Sequence, residues 1–342
     1  MPCVVVVGGF FGDEGKGKII AYLATQFNPN IAARGGVGPN AGHTFVLNGK
    51  TYKVRMLPSA AMNNSTRLLL GPGVLINTQI LMDEVKKFDA KDRVFVDTGC
   101  GIITNDHIEK DNAEYPKTKL GTTGTGTGPA NSDRALRILK IAKEVPELLE
   151  YLEDVSNAIN YSLDKKERVI IEGTQGTFLS LYHGEYPFVT SKDVTSSAVC
   201  SDVGIGPKRV DEVLLVLKSY VTRVGQGPLK NEIDNIEASR RGWSEFGSVT
   251  GRQRRAAPFD MDLALKSIRL NSATQLALTK LDVVFPSCKG IREYSKLSQD
   301  ARNFIEHIEQ ETGLMVTLIG TGAELSDIID RSSSLKVDIF RD

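Results

Sequence analysis

The chain has 342 residues, of which 42 are basic and 42 acidic, so it carries no formal net charge. That balance speaks against a general nucleic-acid or polyanion binder, and any basic site has to be local. The four cysteines lie far apart with no C-x-x-C pair, which speaks against zinc or dithiol redox chemistry and for free thiols.

Cys3-Val4-Val5-Val6-Val7-Gly8 reads as a buried strand, and Gly12-Asp13-Glu14-Gly15-Lys16-Gly17-Lys18 follows it after Gly9-Phe10-Phe11. Ile19 to Leu23 then begins a helical pattern. A strand, a glycine-rich turn and a helix start together aim backbone N–H groups at a phosphate. The turn is not a Walker A motif, because Gly17 stands where a magnesium-binding Ser or Thr is needed. Asp13 sits inside the turn instead, where an acid can bind a metal, take a proton or do both. Its plainer role is to cap the helix. Lys16 suits phosphate oxygens, and its plainer fate is a solvated surface position.

Further on, Asn40-Ala41-Gly42-His43-Thr44 forms a small-residue loop around a histidine. Leu68–Leu70 and Val94–Val96 read as strands. Gly121-Thr122-Thr123-Gly124-Thr125-Gly126-Thr127-Gly128-Pro129-Ala130 is a second glycine-rich stretch. Residues 132–161 read as mostly helical, interrupted at Pro146. Val169–Ile171 is a strand that runs into Glu172-Gly173-Thr174-Gln175-Gly176-Thr177, and Tyr186-Pro187-Phe188-Val189-Thr190-Ser191 follows.

Pro207 to Tyr220 reads as a helix, with Val210, Val213, Leu214 and Leu217 at helical spacing. Thr250-Gly251-Arg252-Gln253-Arg254-Arg255 is a local basic cluster. Phe259 to Leu270 reads as another helix with Leu263, Leu265, Ile268 and Leu270 inward. Leu276–Leu278 is a strand leading to Thr279-Lys280-Leu281-Asp282, and Val316–Ile319 leads to Gly320-Thr321-Gly322. Strands apolar throughout, alternating with helices, give an α/β fold with a mainly parallel central sheet covered on both faces. With no linker or repeat, residues 1–342 read as one large domain. No charged segment followed by a long apolar one opens the chain, and no run approaches a membrane span. Cytoplasmic residence is the expectation.

Seven of these motifs, in this order, resemble adenylosuccinate synthetase over roughly residues 3 to 330: those beginning at Gly12, Asn40, Gly121, Glu172, Tyr186, Thr250 and Thr279. The resemblance implies a P-loop-NTPase-like fold and a ligase that couples IMP to L-aspartate with GTP hydrolysis, in AMP biosynthesis. The chain departs from that family in its shorter length and in extra residues at Gly36-Val37-Gly38-Pro39-Asn40. Phe10-Phe11 stands where Gln-Trp is usual, and Gly320-Thr321-Gly322-Ala323 replaces a Ser-Thr-Gly-Pro pattern. The last change bears on the guanine pocket.

The resemblance assigns roles residue by residue. Asp13 becomes the base that strips N1 of IMP while the 6-oxygen attacks the γ-phosphate, and also a magnesium ligand with the Gly42 carbonyl. His43 becomes the acid or charge stabiliser. Gly12, Gly15, Lys16, Gly17 and Thr44 line the GTP phosphates. Lys280, Asp282, Gly320 and Gly322 face the guanine, where one carboxylate accepts from N1–H and the 2-amino group together. Asn40, Thr122, Thr123, Gln175 and Thr190 surround IMP, with Gln175 also at the chemistry. Thr250, Arg252 and Arg254 hold aspartate, since guanidinium forks match carboxylates. Arg137 reaches the IMP phosphate of a neighbouring subunit, which implies a homodimer.

Two other readings compete. One is a ligase driven by GTP with another acceptor. The other is a regulatory GTPase switch, which fits Thr279–Asp282 but not the absent hydroxyl after Lys16.

Overall fold

The computed structural model describes residues 2–247, 249 and 251–340. Ten strands form one sheet: β1 Cys3–Gly8, β2 Ile31–Arg34, β3 Arg67–Leu70, β4 Val94–Asp97, β5 Leu152–Glu153, β6 Val169–Glu172, β7 Glu212–Lys218, β8 Gln275–Thr279, β9 Val316–Gly320 and β10 Ile328–Asp330. Their spatial order is β10-β9-β8-β7-β1-β6-β2-β3-β4-β5. Every neighbouring pair is parallel except the edge pair β9–β10. The expected α/β fold with a mainly parallel sheet is therefore the observed one.

The strands are apolar throughout because both faces of the sheet are covered. In β1, Cys3, Val5 and Val7 enter one core while Val4 and Val6 enter another. In β7, Val213, Leu215 and Leu217 join the first core, and Leu214 and Val216 the second. Helices Val155–Asp164, Met261–Asn271 and Gln299–Thr312 contribute to the first core. Helix α1, Lys16–Phe27, lays Ile19, Ile20 and Leu23 on the opposite face. All four cysteines are free and buried. No helix among the described residues is long and apolar enough to cross a membrane.

Two expected helices differ. Pro207–Arg209 is only a short 3-10 turn, and Glu212–Lys218 is the central strand β7, buried at every position. A run of five apolar residues satisfies helical spacing by coincidence, and a strand buried on both faces shows no period of its own. Between residues 132 and 161 the helical reading holds as α-helix for two segments, with short 3-10 helices at Ala142–Glu144 and Pro146–Tyr151 between them. Thr127–Leu136 ends at Arg137, whose left-handed backbone (φ 64°) closes it. Val155–Asp164 starts afresh where the Asp154 side chain accepts from Asn157 N–H. The helix expected over Phe259–Leu270 is present as Met261–Asn271, capped by Asp260. Its fully buried positions are Ala264, Ser267 and Asn271, while Leu263 and Ile268 pack partly buried.

Candidate active site

β7, β1, β6 and β2 are consecutive in the sheet, and parallel pairing puts their carboxyl ends on one edge. That edge is where α/β folds bind ligands. A cavity of about 520 Å³ opens near it. Its walls include Gly12, Asp13, Asn40, Gly42, His43, Thr122, Thr123, Gln175, Thr190, Arg252 and Arg254. Residues from six separate stretches of chain thus meet in one place. Asn40 donates to Thr190 Oγ1 at 3.3 Å, and its own Oδ1 has no donor among the described residues.

The first turn is built around Glu14. Its buried carboxylate accepts from Phe10 N–H (2.9 Å) and Gly12 N–H (2.7 Å) and pairs with Lys16 Nζ (2.9 Å). The turn needs left-handed backbone at Gly12 (φ 97°) and Gly15 (φ 82°), which glycine adopts without strain. Lys16 is 1% exposed and also donates to the Gln175 carbonyl, so it is not a solvated surface lysine. Gly17 is glycine for want of space: a Cβ there would lie 2.7 Å from His43 Cβ. The hydroxyl residue of a Walker A motif cannot occupy that position.

No side chain caps α1. Asp13 instead receives Arg254 Nη2 at 2.9 Å and the Thr222 hydroxyl at 3.4 Å. Burial pushes its carboxyl up to about 6, against the pull of Arg254 and Lys218, and Glu14 and Glu245 push the same way as burial.

His43 opens the hairpin strand His43–Leu47 and lines the cavity. Its Nδ1 meets Glu172, the last residue of β6. That carboxylate is fully buried and also accepts from Arg34 Nη1 (3.0 Å), Ser59 N–H (2.6 Å) and Ser59 Oγ (2.8 Å). Burial would raise Glu172, but His43, Arg34 and the Ser59 N–H outweigh it and keep the acid ionised. Burial and the Arg34 guanidinium hold the His43 ring down to about 4, so the resting ring is neutral. With an ionised acceptor as partner, Nδ1 carries the proton.

A second cluster lies across α1 from the cavity. Thr279 Oγ1, at the end of β8, donates to the Glu14 carbonyl at 2.6 Å. Lys18 donates to the carbonyls of Gly322 and Asp327, each at 2.8 Å. Lys280 is exposed with left-handed backbone (φ 60°), and Asp282 sits in the short helix that follows. Burial pushes the Asp282 carboxyl up, against Lys280, Lys18 and Lys289, and its Oδ1 is buried with no donor among the described residues. Gly320 closes β9. Gly15 borders this cluster, since a Cβ there would meet Thr279 at 3.5 Å. Thr44 lies beside Gly17, where its N–H nitrogen would be 3.2 Å from a Cβ.

Arg252 donates to the carbonyls of Gly121 (2.6 Å) and Thr122 (3.2 Å), which tethers the basic cluster to the second glycine-rich stretch. Arg254 bridges two acids, Asp13 and Glu245. Arg137 is exposed and outside the cavity lining, flanked by exposed Leu136 and Ile138. Thr250 lies outside the described residues. Sequence reasoning passed over Arg34, Ser59, Glu172, Lys218 and Glu245. Only Glu172 left a trace, as an acid closing an apolar strand inside a recognised motif.

A family model described as adenylosuccinate synthetase matches residues 5–142 and 137–287. The adenylosuccinate synthetase of Methanocaldococcus jannaschii is 52% identical over 339 residues, covering 98% of each chain. That of Pyrococcus horikoshii is 52% identical, covering 98% of this chain and 100% of its own. Among solved structures, the fully ligated adenylosuccinate synthetase of Plasmodium falciparum superposes with a TM-score of 0.87 at 27% identity, covering 96% of this chain and 99% of that one. The glycine turn with its embedded acid, the histidine beside it and this likeness along nearly the whole length agree: the chain belongs to the adenylosuccinate synthetase family.

Proposed function

We propose that the cavity at the carboxyl edge of the sheet is where GTP, IMP and L-aspartate are joined, with Asp13 as base and His43 as acid. The chain is a ligase of this family, forming adenylosuccinate, GDP and phosphate. The observation that carries the reading is the meeting of Asp13, His43, Gln175 and Arg254 around one cavity.

The 6-oxygen of IMP is a poor leaving group until it is phosphorylated. Asp13 takes the N1 proton as that oxygen attacks the γ-phosphorus and the bond to GDP breaks. A carboxyl raised to about 6 is suited to this near neutral pH. The neutral amine of aspartate then attacks C6, the C6–O bond breaks, and the 6-oxygen leaves as part of inorganic phosphate, which takes up the proton the amine loses. His43 must carry both ring protons to donate from Nε2. Glu172 stabilises that imidazolium, and an anionic phosphoryl group nearby favours it further.

Arg252 and Arg254 suit the aspartate carboxylates, and Thr122, Thr123, Asn40 and Thr190 suit the IMP side. The unpaired Oδ1 of Asp282 suits the donor edge of guanine, which adenine lacks. Magnesium fits the donor set: one carboxylate from Asp13 and the Gly42 carbonyl, with phosphate oxygens and water completing a hard-oxygen shell. Among the described residues no group of three acids, histidines or cysteines could hold a metal by itself. A bound magnesium would neutralise phosphate charge. Arg137 and the exposed Leu136 and Ile138 beside it suit a homodimer in which the arginine serves the neighbouring cavity. Residues 1–342 act as one domain in this reading, in the cytoplasm.

GTP turnover with IMP and aspartate, singly and together, tests it. Phosphate release that needs both, or at least IMP, supports the ligase. Equal hydrolysis with neither present would point to the switch reading.

A further inference from the structure

Glu245 lies in the segment between helix Asn235–Arg240 and strand Arg255–Ala257 and meets the candidate site through Arg254. Its carboxylate, 13% exposed, has three hydrogen-bond donors and one further ion-pair partner. Oε2 accepts from Lys218 Nζ (2.7 Å) and Arg254 Nη1 (2.5 Å). Oε1 accepts from the Tyr220 hydroxyl (2.5 Å) and faces Lys280 Nζ at 3.4 Å. These partners come from the end of β7 (Lys218) and the bend after it (Tyr220), the residue that follows β8 (Lys280), and the cluster that carries both candidate aspartate arginines. Lys218 is itself 1% exposed and has no other charged partner in hydrogen-bond range among the described residues.

The backbone makes the arrangement rigid. Arg254 N–H donates to the Glu245 carbonyl (2.8 Å), and Gly247 N–H to the Arg252 carbonyl (2.8 Å). Trp243 stacks on Tyr220 with ring centres 4.7 Å apart. Arg254 spans two acids: Nη1 on Glu245 and Nη2 on Asp13. A guanidinium held at only one nitrogen can swivel; held at two, it is fixed in the plane of both.

We propose that Glu245 is a positioning residue that fixes the Arg254 fork against Asp13 and ties it, through Lys280, to the base-reading end of β8. It touches no reacting atom. Its action is to keep the arginine aimed. The inference rests on the reading of Asp13 and Arg254 as reacting-site residues, so wild-type turnover with GTP, IMP and aspartate is measured first; its failure would sink that reading and not this one.

The test compares Glu245→Gln, Glu245→Asp and Tyr220→Phe, each checked for a folded melt, with an Arg254→Leu cycle. Removing the charge in Glu245→Gln should lower kcat on the order of 10–100-fold, as losses of outer partners do, with KM for IMP within about twofold. Glu245→Asp, which keeps the charge, should recover part of that loss. Tyr220→Phe keeps the ring against Trp243 and should lower kcat several-fold. Glu245→Gln added to Arg254→Leu should cost little more than Arg254→Leu alone. Unchanged kcat in both Glu245→Gln and Tyr220→Phe, or full additivity with Arg254→Leu, would overturn the proposal.

Discussion

Replacing Glu172 by glutamine removes one charge and almost no volume from the network that holds His43. The carboxylate is fully buried and accepts hydrogen bonds from Arg34, Ser59 and His43 at once. Arg34 is also fully buried, and in the variant it keeps carbonyl partners at Leu57 (3.3 Å) and Arg55 (3.2 Å) but no acid. Breaking a buried pair by removing one partner costs about 3–5 kcal/mol. For a chain of this size that corresponds to a fall in melting temperature of about 4–7 °C. The chemistry should suffer separately. A neutral amide does not stabilise an imidazolium, and with its own N–H on Nδ1 it would leave the ring neutral, its one proton on Nε2 and far less acidic than in the imidazolium. We expect kcat to fall on the order of 10²–10⁴-fold, with KM for IMP and aspartate within about threefold, measured well below the melting transition. A folded variant whose kcat stays within about threefold of wild type would refute the positioning of His43 by Glu172.

Asp13→Asn should lower kcat on the order of 10²–10⁴-fold, and near-normal turnover would remove Asp13 as the base. Asp282→Asn should weaken GTP use on the order of 10²-fold and gain use of xanthosine triphosphate, whose hydrogen-bonding edge is reversed at that position; unchanged GTP affinity would count against the assignment. Arg137→Leu mixed with Asp13→Asn should recover activity that neither has alone if subunits share sites, and no recovery with exchange confirmed would deny Arg137 that role. Burial pushes Lys18 from 10.5 down to about 8, against Asp327 and Asp282. The unfolded chain therefore holds more protons than the folded one between these values, so stability rises with pH across that window. Between about pH 7 and 9.5 this one lysine should add about 2 kcal/mol, a gain that denaturant unfolding should find missing in Lys18→Met. Identical pH dependence in the two proteins would contradict it.

What the sequence showed depended on how local the physics was. The phosphate turn was legible because its glycines, acid and lysine are contiguous and each type has a reason to be there. The strands were legible because a sheet covered on both faces demands unbroken apolar runs. The same unbroken pattern hid β7, since Val213 to Leu217 fits either period and only the sheet around it decides. The partners of the site residues were hidden by distance. Glu172 lies 129 residues from His43 and 138 from Arg34. Lys218 and Glu245 are 27 residues apart and look like ordinary surface charges until the strand order brings them together. The reason for Gly17 was equally out of reach, because it is His43 Cβ, 26 residues further on, that leaves no room there.

A crystal structure of the protein with IMP and a non-hydrolysable GTP analogue tests the central claim most directly. The account predicts an Asp13 carboxylate oxygen within about 2.6–3.2 Å of the ring N1, with the His43 ring, still backed by Glu172, facing the 6-oxygen. An Asp13 carboxylate beyond hydrogen-bond reach of N1 in a closed complex would contradict it.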